Sequence, residues 1–178
     1  NVALLLQNST IVGNVSNSGV MGGIVGVNAL LQGSINNLSG GRLYGPSAIA
    51  LSRSTVTGGI TNSGMIIAIT PGASAVDNFQ GPMTTLVNNA SGTIIGGING
   101  NLNVANSGWL GLVNANATNV SQSIISGSVA RATIAGNFVA ADNTVLVFGV
   151  QGAGTGVGTI STNHSALSVA GVASFGNN

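Results

Sequence analysis

Cysteine, lysine and glutamate are absent from this 178-residue sequence, and charged residues of any kind are scarce. The charged side chains are Arg42, Arg53, Arg131, Asp77 and Asp142, which give a formal net charge of +1. Without cysteine, disulfides and thiolate metal sites are excluded. Three scattered arginines cannot supply a phosphate-binding track, so we expect neither nucleic acid nor an anionic membrane surface as a partner. A net charge this close to zero removes the usual electrostatic barrier to self-association.

Long apolar runs are missing as well. No stretch approaches the ~18 consecutive apolar residues of a membrane-spanning helix, so we expect no membrane insertion. The 29 glycines interrupt the sequence too often for long helices. Short runs that alternate β-branched and small polar residues dominate instead, and this pattern is typical of strands. The sequence therefore predicts a single all-β domain.

Groups that could support chemistry are few. A Ser-His-Asp triad would need His164 with Asp77 or Asp142, and the sequence contains no G-x-S-x-G elbow. Glycoside cleavage would need the same two aspartates as a carboxylate pair, although they lie 65 positions apart (142 minus 77). The tract "GAGTGVG" at 152–158 lacks the spacing and the lysine of a phosphate-binding loop. We expect no catalytic residue, no cofactor, no metal ion and no enzymatic activity.

One small corner motif recurs five times. It reads "VSNSGVMGG" from Val15, "INNLSGGRLYG" from Ile35, "GGITNSGMII" from Gly58, "VNNASGTIIGG" from Val87 and "VANSGWLGL" from Val104. Spacings of 21, 24, 28 and 16 residues between its glycines fit a solenoid with loops of varying length. A β-sandwich also has short strands at such spacings, but its hairpins differ from one another. Recurrence of one corner favours a parallel β-solenoid of roughly eight coils over a sandwich.

Stacked coils would place equivalent corner residues directly above one another. We predict an asparagine ladder with a rise of ~4.8 Å per coil, in which each glycine turns the corner at positive φ. The predicted corner positions are Asn17, Gly19, Asn37, Gly40, Asn62, Gly64, Asn89, Gly92, Asn106 and Gly108. Residues on either side of the corner should alternate inward, as for Ile60 with Ile66 and Val87 with Ile94.

Two further features concern organisation and contact. We divide the domain into solenoid repeats over 1–125 and a C-terminal segment over 126–178 that is continuous with them. The C-terminal segment has longer strands and larger apolar residues, and a Gly-rich linker joins its two strand-rich stretches. Tyr44 and Trp109 closely follow corner glycines, where they either point outward as contact residues or fill the core.

The residues of two stretches resemble a known family. "LVNNASGTIIGGINGNLNVANSGWL" at 86–110 and "ATIAGNFVAADNTVLVFGV … ALSVAGVASFGNN" from Ala132 are similar to the passenger domain of bacterial autotransporters, of the pertactin-like group. In that group a "GN(Y/F)" strand turn, a "(T/L)LV" strand and an "LxVxGxAxxG" strand follow in this order. The resemblance implies a right-handed parallel β-helix, secreted across the outer membrane of a Gram-negative bacterium and displayed on its surface. His164 departs from the acidic residue common before the family's closing strand, and the translocator barrel is not among these residues.

The ends of a solenoid are open rows of unpaired backbone groups, which invite pairing with another chain. We therefore expect a secreted, non-enzymatic surface protein that associates with copies of itself, end to end or laterally, into a filament or layer. The alternative is a stalk segment of an autotransporter adhesin, with a host or surface ligand as partner. Ice or carbohydrate binding through a flat face is a third class, which lacks a regular T-x-T or aromatic array.

Overall fold

The structure is a computed structural model that describes residues 2–113, 129–149 and 164–176. These residues form 23 β-strands, numbered β1 to β23 along the chain, and contain no helix. The strands belong to four sheets, which we call A to D, and all neighbouring strands run parallel. The predicted all-β class is confirmed for this part of the chain.

The bounds of the strands are given sheet by sheet. Sheet A contains β1 (Val2–Gln7), β5 (Gly23–Val27), β9 (Ile49–Ser52), β13 (Ser74–Phe79), β16 (Gly97–Gly100), β19 (Arg131–Ile134) and β22 (Ala166–Val169). Sheet B contains β2 (Thr10–Val12), β6 (Leu30–Gln32) and β10 (Thr55–Val56). Sheet C contains β3 (Val15–Asn17), β7 (Ile35–Asn37), β11 (Ile60–Asn62), β14 (Thr84–Asn88), β17 (Leu102–Asn106), β20 (Phe138–Ala140) and β23 (Ala173–Phe175). Sheet D contains β4 (Val20–Met21), β8 (Arg42–Gly45), β12 (Met65–Ala68), β15 (Thr93–Ile95), β18 (Trp109–Leu112) and β21 (Val145–Phe148).

The chain passes through the sheets in a fixed order and returns to sheet A one strand farther along. We call each passage a coil: coil 1 is β1–β4, coil 2 is β5–β8 and coil 3 is β9–β12. Coils 4 (β13–β15), 5 (β16–β18) and 6 (β19–β21) omit sheet B, and β22 and β23 belong to coil 7. Stacked parallel strands of this kind form a β-solenoid-like fold. Sheets A and C hold seven strands each in the described ranges, while a total of about eight coils and a right-handed winding remain predictions.

Alternating side chains explain why these short segments form strands around one core. In β17 the residues alternate between buried and partly exposed positions, as expected for a strand with one face inside. Inward residues stack in register from coil to coil, for example Ile35, Ile60 and Leu86, each at most 2% exposed. Burying a side chain of this size stabilises the fold by about 1.5–3 kcal/mol. The predicted inward positions of Ile60, Ile66 and Ile94 agree with this core, to which all three belong.

Sheet D is apolar on its outer face as well. Ile67 and Ile95, which follow the inward residues Ile66 and Ile94, form a second buried cluster with Val113. The alternation of β12 and β15 is therefore replaced by consecutive apolar residues, the pattern of a sheet covered on both faces. None of the described residues belongs to a helix long and apolar enough to cross a membrane.

The C-terminal segment continues the same sheets. Strands β19, β20 and β21 pair with β16, β17 and β18, so sheets A, C and D run through both predicted segments. The strands in the described part of 126–178 contain three or four residues, although the sequence predicts longer ones. Among the described strands of sheet A, those of coils 1 and 4 have six residues. The boundary at 125 and residues 152–163 of the Gly-rich linker lie outside the described residues.

Candidate functional site

The predicted corner residues meet at the junction of sheets C and D, which we call the C–D corner. Each corner leads from the last residue of a sheet C strand to the first residue of a sheet D strand. The register between neighbouring strands of sheet C defines one position at the end of each strand, which we call the ladder position. In coils 1 to 5 it is occupied by Asn17, Asn37, Asn62, Asn88 and Asn106. Ala140 and Phe175 follow in the same register, so the asparagine ladder comprises these five residues.

Side-chain amides of the ladder bond directly from coil to coil. The Nδ2 of each asparagine donates to the Oδ1 of the asparagine in the next coil, with N···O distances of 2.9, 2.8, 2.8 and 2.7 Å along the chain. The second Nδ2 hydrogen points to a backbone carbonyl, as for Asn37 with Gly41 O at 3.2 Å and Asn88 with Gly92 O at 3.2 Å. These carbonyls fix the amide orientation, because a flipped amide would oppose two oxygens.

The ladder lies in the interior of the protein. Asn62 and Asn88 are fully buried, and Asn17 at the end of the row is 8% exposed. A buried amide with unmet hydrogen bonds costs about 1–3 kcal/mol, so these residues are compatible with the core only because each neighbour supplies a partner.

Asn89 is not part of the ladder, and its prediction was wrong by one residue. The register pairs Asn88 with Asn62 and with Asn106, while Asn89 lies outside the core and donates from its Nδ2 to Ser63 Oγ at 2.8 Å. The same shift affects the inward residue of this strand, since Leu86 is fully buried and the predicted Val87 faces outward. Aligning the corners on their glycine produced the error, because the corner of coil 4 is two residues longer than that of coil 3.

Glycine also occupies one equivalent position in coils 1 to 5. The residue before each sheet D strand is Gly19, Gly41, Gly64, Gly92 or Gly108, whose carbonyl accepts a hydrogen bond from the strand of the next coil. The predicted Gly40 lies one residue earlier. It is the only one of the five predicted corner glycines with a positive φ, of 81°.

Close packing, and not backbone conformation, explains glycine at this position. A Cβ on Gly64 would lie 2.9 Å from Asn37 Nδ2, and a Cβ on Gly92 or Gly108 would lie 3.0 Å from the Nδ2 of the preceding ladder residue. Carbonyl oxygens of the preceding coil would be closer still. Gly19, which has no preceding coil in the structure, has no atom within 4 Å of this point. In coils 2 to 5 the stacked coil beneath therefore leaves no room for a Cβ at this position, whereas Thr144 occupies it in coil 6.

Corner length alternates from coil to coil. The short corners of coils 1, 3 and 5 place two residues after the ladder position: Ser18–Gly19, Ser63–Gly64 and Ser107–Gly108. The long corners of coils 2, 4 and 6 place four residues there: 38–41, 89–92 and 141–144. The first two long corners are turns closed by backbone bonds of 2.8 Å, from Gly41 N to Leu38 O and from Gly92 N to Asn89 O.

The alternation produces a groove on the outside of the protein. Long corners of coils 2 and 4 stand on either side of the short corner at Ser63, and the groove between them is lined by Ser39, Ser63, Ser91, Thr93, Met65 and Arg42. We call this groove the coil 3 notch. The wall formed by the long corner of coil 4 is held against coil 3 by the hydrogen bond from Ser91 Oγ to Ser63 O at 2.9 Å. Arg42 supplies its one charge.

Tyr44 and Trp109, predicted as contact or core residues, lie on the outer face of sheet D. Both are partly buried and pack against the cluster of Ile67, Ile95 and Val113. The indole of Trp109 covers Gly111, since a Cβ there would overlap its ring. They support the second apolar cluster more than they project from the surface.

Titratable groups of the described residues lie apart from one another in the fold. Asp77 is on the outer face of sheet A, Asp142 is exposed in the long corner of coil 6, and His164 lies two residues before β22. No group of three potential metal ligands from His, Asp or Glu occurs among the residues described. Burial raises the pKa of the Asp77 carboxyl above its ordinary value of 3.8, because a desolvated carboxylate is disfavoured.

Sequence reasoning missed a second column of corner residues. Where sheet A ends in coils 1 to 4, the equivalent residues Asn8, Asn28, Arg53 and Gln80 all adopt positive φ, between 47° and 56°. Asn28 Nδ2 donates to Asn8 Oδ1 at 3.1 Å, a short exposed counterpart of the buried ladder. Two asparagines in this column carried a usable signal, since asparagine tolerates the left-handed region.

Buried Asn78 was also missed. Its Nδ2 donates to Asn101 O at 2.7 Å and to Pro82 O at 2.9 Å, at the point where coil 4 omits sheet B. Among the residues that the structure describes, none donates a hydrogen bond to its Oδ1. Two carbonyl acceptors hold the amide in this orientation, so Asn78 closes the shortened corner at the expense of one unpaired oxygen.

Comparison with known proteins returned no match to this chain among protein-family models, curated proteins or solved structures.

Proposed function

We propose that this chain is a non-enzymatic structural protein that associates with copies of itself into an extracellular filament or layer. The observation that carries the proposal is the edge that coil 1 presents within the described part of the chain. Among the described residues, strands β1 to β4 each pair with a neighbour on one side. The inward side chains of coil 1, Leu4, Ile11, Val15 and Met21, are partly buried, whereas their register partners in coil 2 are at most 2% exposed.

An apolar end with open backbone groups favours association. Unpaired N–H and C=O groups on an edge strand are a template for another strand, and apolar side chains beside them gain free energy when covered. Charge opposes this weakly, because the sequence carries five charged side chains and a formal net charge of +1.

The finer architecture belongs to the same proposal. We infer a right-handed winding, since crossover connections between parallel strands of one sheet are right-handed in about 98% of cases. The resemblance to pertactin-like passenger domains points in the same direction, and it supports display on the surface of a Gram-negative bacterium. A total of about eight coils would make a rod about 40 Å long at ~4.8 Å per coil.

Electron microscopy of negatively stained protein tests the proposal, together with sedimentation velocity over a concentration series at neutral pH. We expect uniform filaments or sheets and a sedimentation coefficient that rises with concentration. Single short rods at every concentration would overturn it.

A stalk segment of an autotransporter adhesin is the second candidate. The register of sheet C, which runs through seven strands, favours this function because it makes a stiff spacer. A stalk would remain as single rods in the same experiment, so the two candidates give opposite results.

A further inference from the structure

We propose that two copies of this chain pair side by side and antiparallel along their C–D corners, with the long corners of each copy inserted into the notches of the other. The pairing rests on the self-association proposed above and specifies one of its interfaces. Its starting point is the alternation of long and short corners.

Alternating corners make this edge of the protein self-complementary in shape. Long corners project in coils 2, 4 and 6, and short corners recede in coils 1, 3 and 5. The tips of the long corners are exposed at Ser39, Ser91 and Asp142, whereas Ser63 in the short corner of coil 3 is partly buried. In one antiparallel register coil 6 lies opposite coil 3 and coil 4 lies opposite coil 5, so each of these two long corners faces a short corner. The long corner of coil 2 lies opposite coil 7, of whose C–D corner only Gly176 is described.

Charge supports this pairing over other alignments. Arg42 is the charged residue that lines the coil 3 notch, and Asp142 is the charged residue on a long corner of the described chain. In the antiparallel pair the long corner of coil 6 enters the coil 3 notch of the partner, which brings Asp142 beside Arg42 of the other copy. Two-fold symmetry repeats the contact, so the pair contains two contacts between Arg42 of one copy and Asp142 of the other.

The remaining contacts are polar and compact. Serine and threonine hydroxyls line the coil 3 notch, and the short corner of coil 5 consists of Ser107 and Gly108. In the proposed pair the long corner of coil 4, whose tip is Ala90 and Ser91, lies opposite that short corner. Small side chains on both sides permit close approach of the two backbones, as at packed interfaces between repetitive structures.

Charge exchange tests the contact. In sedimentation velocity we expect Asp142→Arg and Arg42→Asp each to weaken pairing by at least about tenfold in Kd, because like charges then meet. The combined variant restores opposite charges and should return to within about threefold of the original protein. Arg53→Asp makes the same change in net charge at the junction of sheets A and B, away from the corner, and should leave the Kd unchanged.

Cysteine cross-linking tests the antiparallel alignment. The chain contains no cysteine, so a double variant with Arg42→Cys and Asp142→Cys carries the only two thiols. Four coils separate these sites, about 19 Å at ~4.8 Å per coil, which is too far for a disulfide within one molecule. Mild oxidation should therefore give disulfide-linked dimers on a non-reducing gel, at a rate well above that of the control with Arg53→Cys and Asp142→Cys.

The outcomes separate this inference from the proposed function. If the original protein stays monomeric at all concentrations, both are overturned. If it associates but the charge variants and the cross-linking rates do not differ from their controls, the corner pairing is wrong and self-association stands. Loss of pairing in the single variants with recovery in the combined variant supports both.

Discussion

At the scale of the residue, the two adjacent asparagines Asn88 and Asn89 should contribute differently to stability, because only Asn88 belongs to the buried ladder. We expect Asn88→Ala to lower the free energy of unfolding by roughly 2–4 kcal/mol, because the facing groups of Asn62 and Asn106 lose their partners inside the core. Asn89→Ala removes one hydrogen bond to Ser63 outside the core and should cost less than about 1 kcal/mol. Urea unfolding of the two variants gives the comparison, and equal losses would contradict the assignment of the ladder to Asn88.

Asp77 makes stability depend on pH in one direction. Its pKa is raised in the folded protein by burial, so the folded state binds the proton more tightly than the unfolded state. Stability contributed by this group is therefore lost as pH rises from below 3.8 through the folded pKa, and the penalty is complete at neutral pH. We expect Asp77→Asn to be more stable than the original protein at pH 7.

A pH series of thermal unfolding checks this expectation. The two curves should converge toward pH 3, where the carboxyl is protonated in both states. A constant difference between Asp77→Asn and the original protein across the series would show that packing, and not ionisation, separates them.

At the scale of the element, contact with the preceding coil determines whether a corner glycine can be replaced. We expect Gly108→Ala to lower stability by about 1–3 kcal/mol, because its Cβ would lie 3.0 Å from Asn88 Nδ2 and closer to two carbonyl oxygens. Gly19→Ala, the same change in the same motif, has open space around it and should be nearly neutral. Comparable losses in urea unfolding would instead indicate that the turn conformation requires glycine.

The corner motif shows how far the sequence determines this site. Four of the five ladder asparagines follow from its recurrence, since a tripeptide repeated at solenoid spacing implies stacking. The fifth does not, because "VNNASG" offers two asparagines and the spacing to glycine varies with the length of the corner. Only the pairing of Leu86 with Ile60 decides between them, and that register depends on which apolar residue fills the core.

At the scale of the whole molecule, stability should vary along the stack. Central coils are covered on both sides, whereas coil 1 has one neighbour and partly exposed inward residues. We expect amide hydrogens of β11 and β14 to exchange most slowly and those of β2 and β3 much faster, because solenoid repeats are stabilised by their neighbours. Hydrogen exchange followed by mass spectrometry measures this difference.

Association should change that exchange profile. If the open end of coil 1 pairs with another copy, the amides of β1 to β4 become protected at high protein concentration. Equal protection of all coils at low concentration would contradict the expected gradient.

The architecture as a whole was predictable only in outline. Strand-forming alternation and the absence of helical patterns indicate an all-β stack, but two features depend on tertiary packing. Sheet B ends after coil 3, where Asn78 and Thr84 close the shortened path of coil 4. The outer cluster at Ile67 and Ile95 arises because sheet D is apolar on both faces, which strand periodicity alone does not distinguish from a single buried face.

The amide row has one more consequence, which is electrical. All four of its bonds point the same way along the stack, so the side-chain dipoles add instead of cancelling, as peptide dipoles do in an α-helix. The row is positive toward coil 5 and negative toward coil 1. Asp142 in coil 6 and Arg42 in coil 2 lie toward the ends of opposite sign. These two charges oppose the dipole of the row. Each row is itself a small oriented dipole, and two rows side by side have their lowest electrostatic energy when their dipoles point in opposite directions.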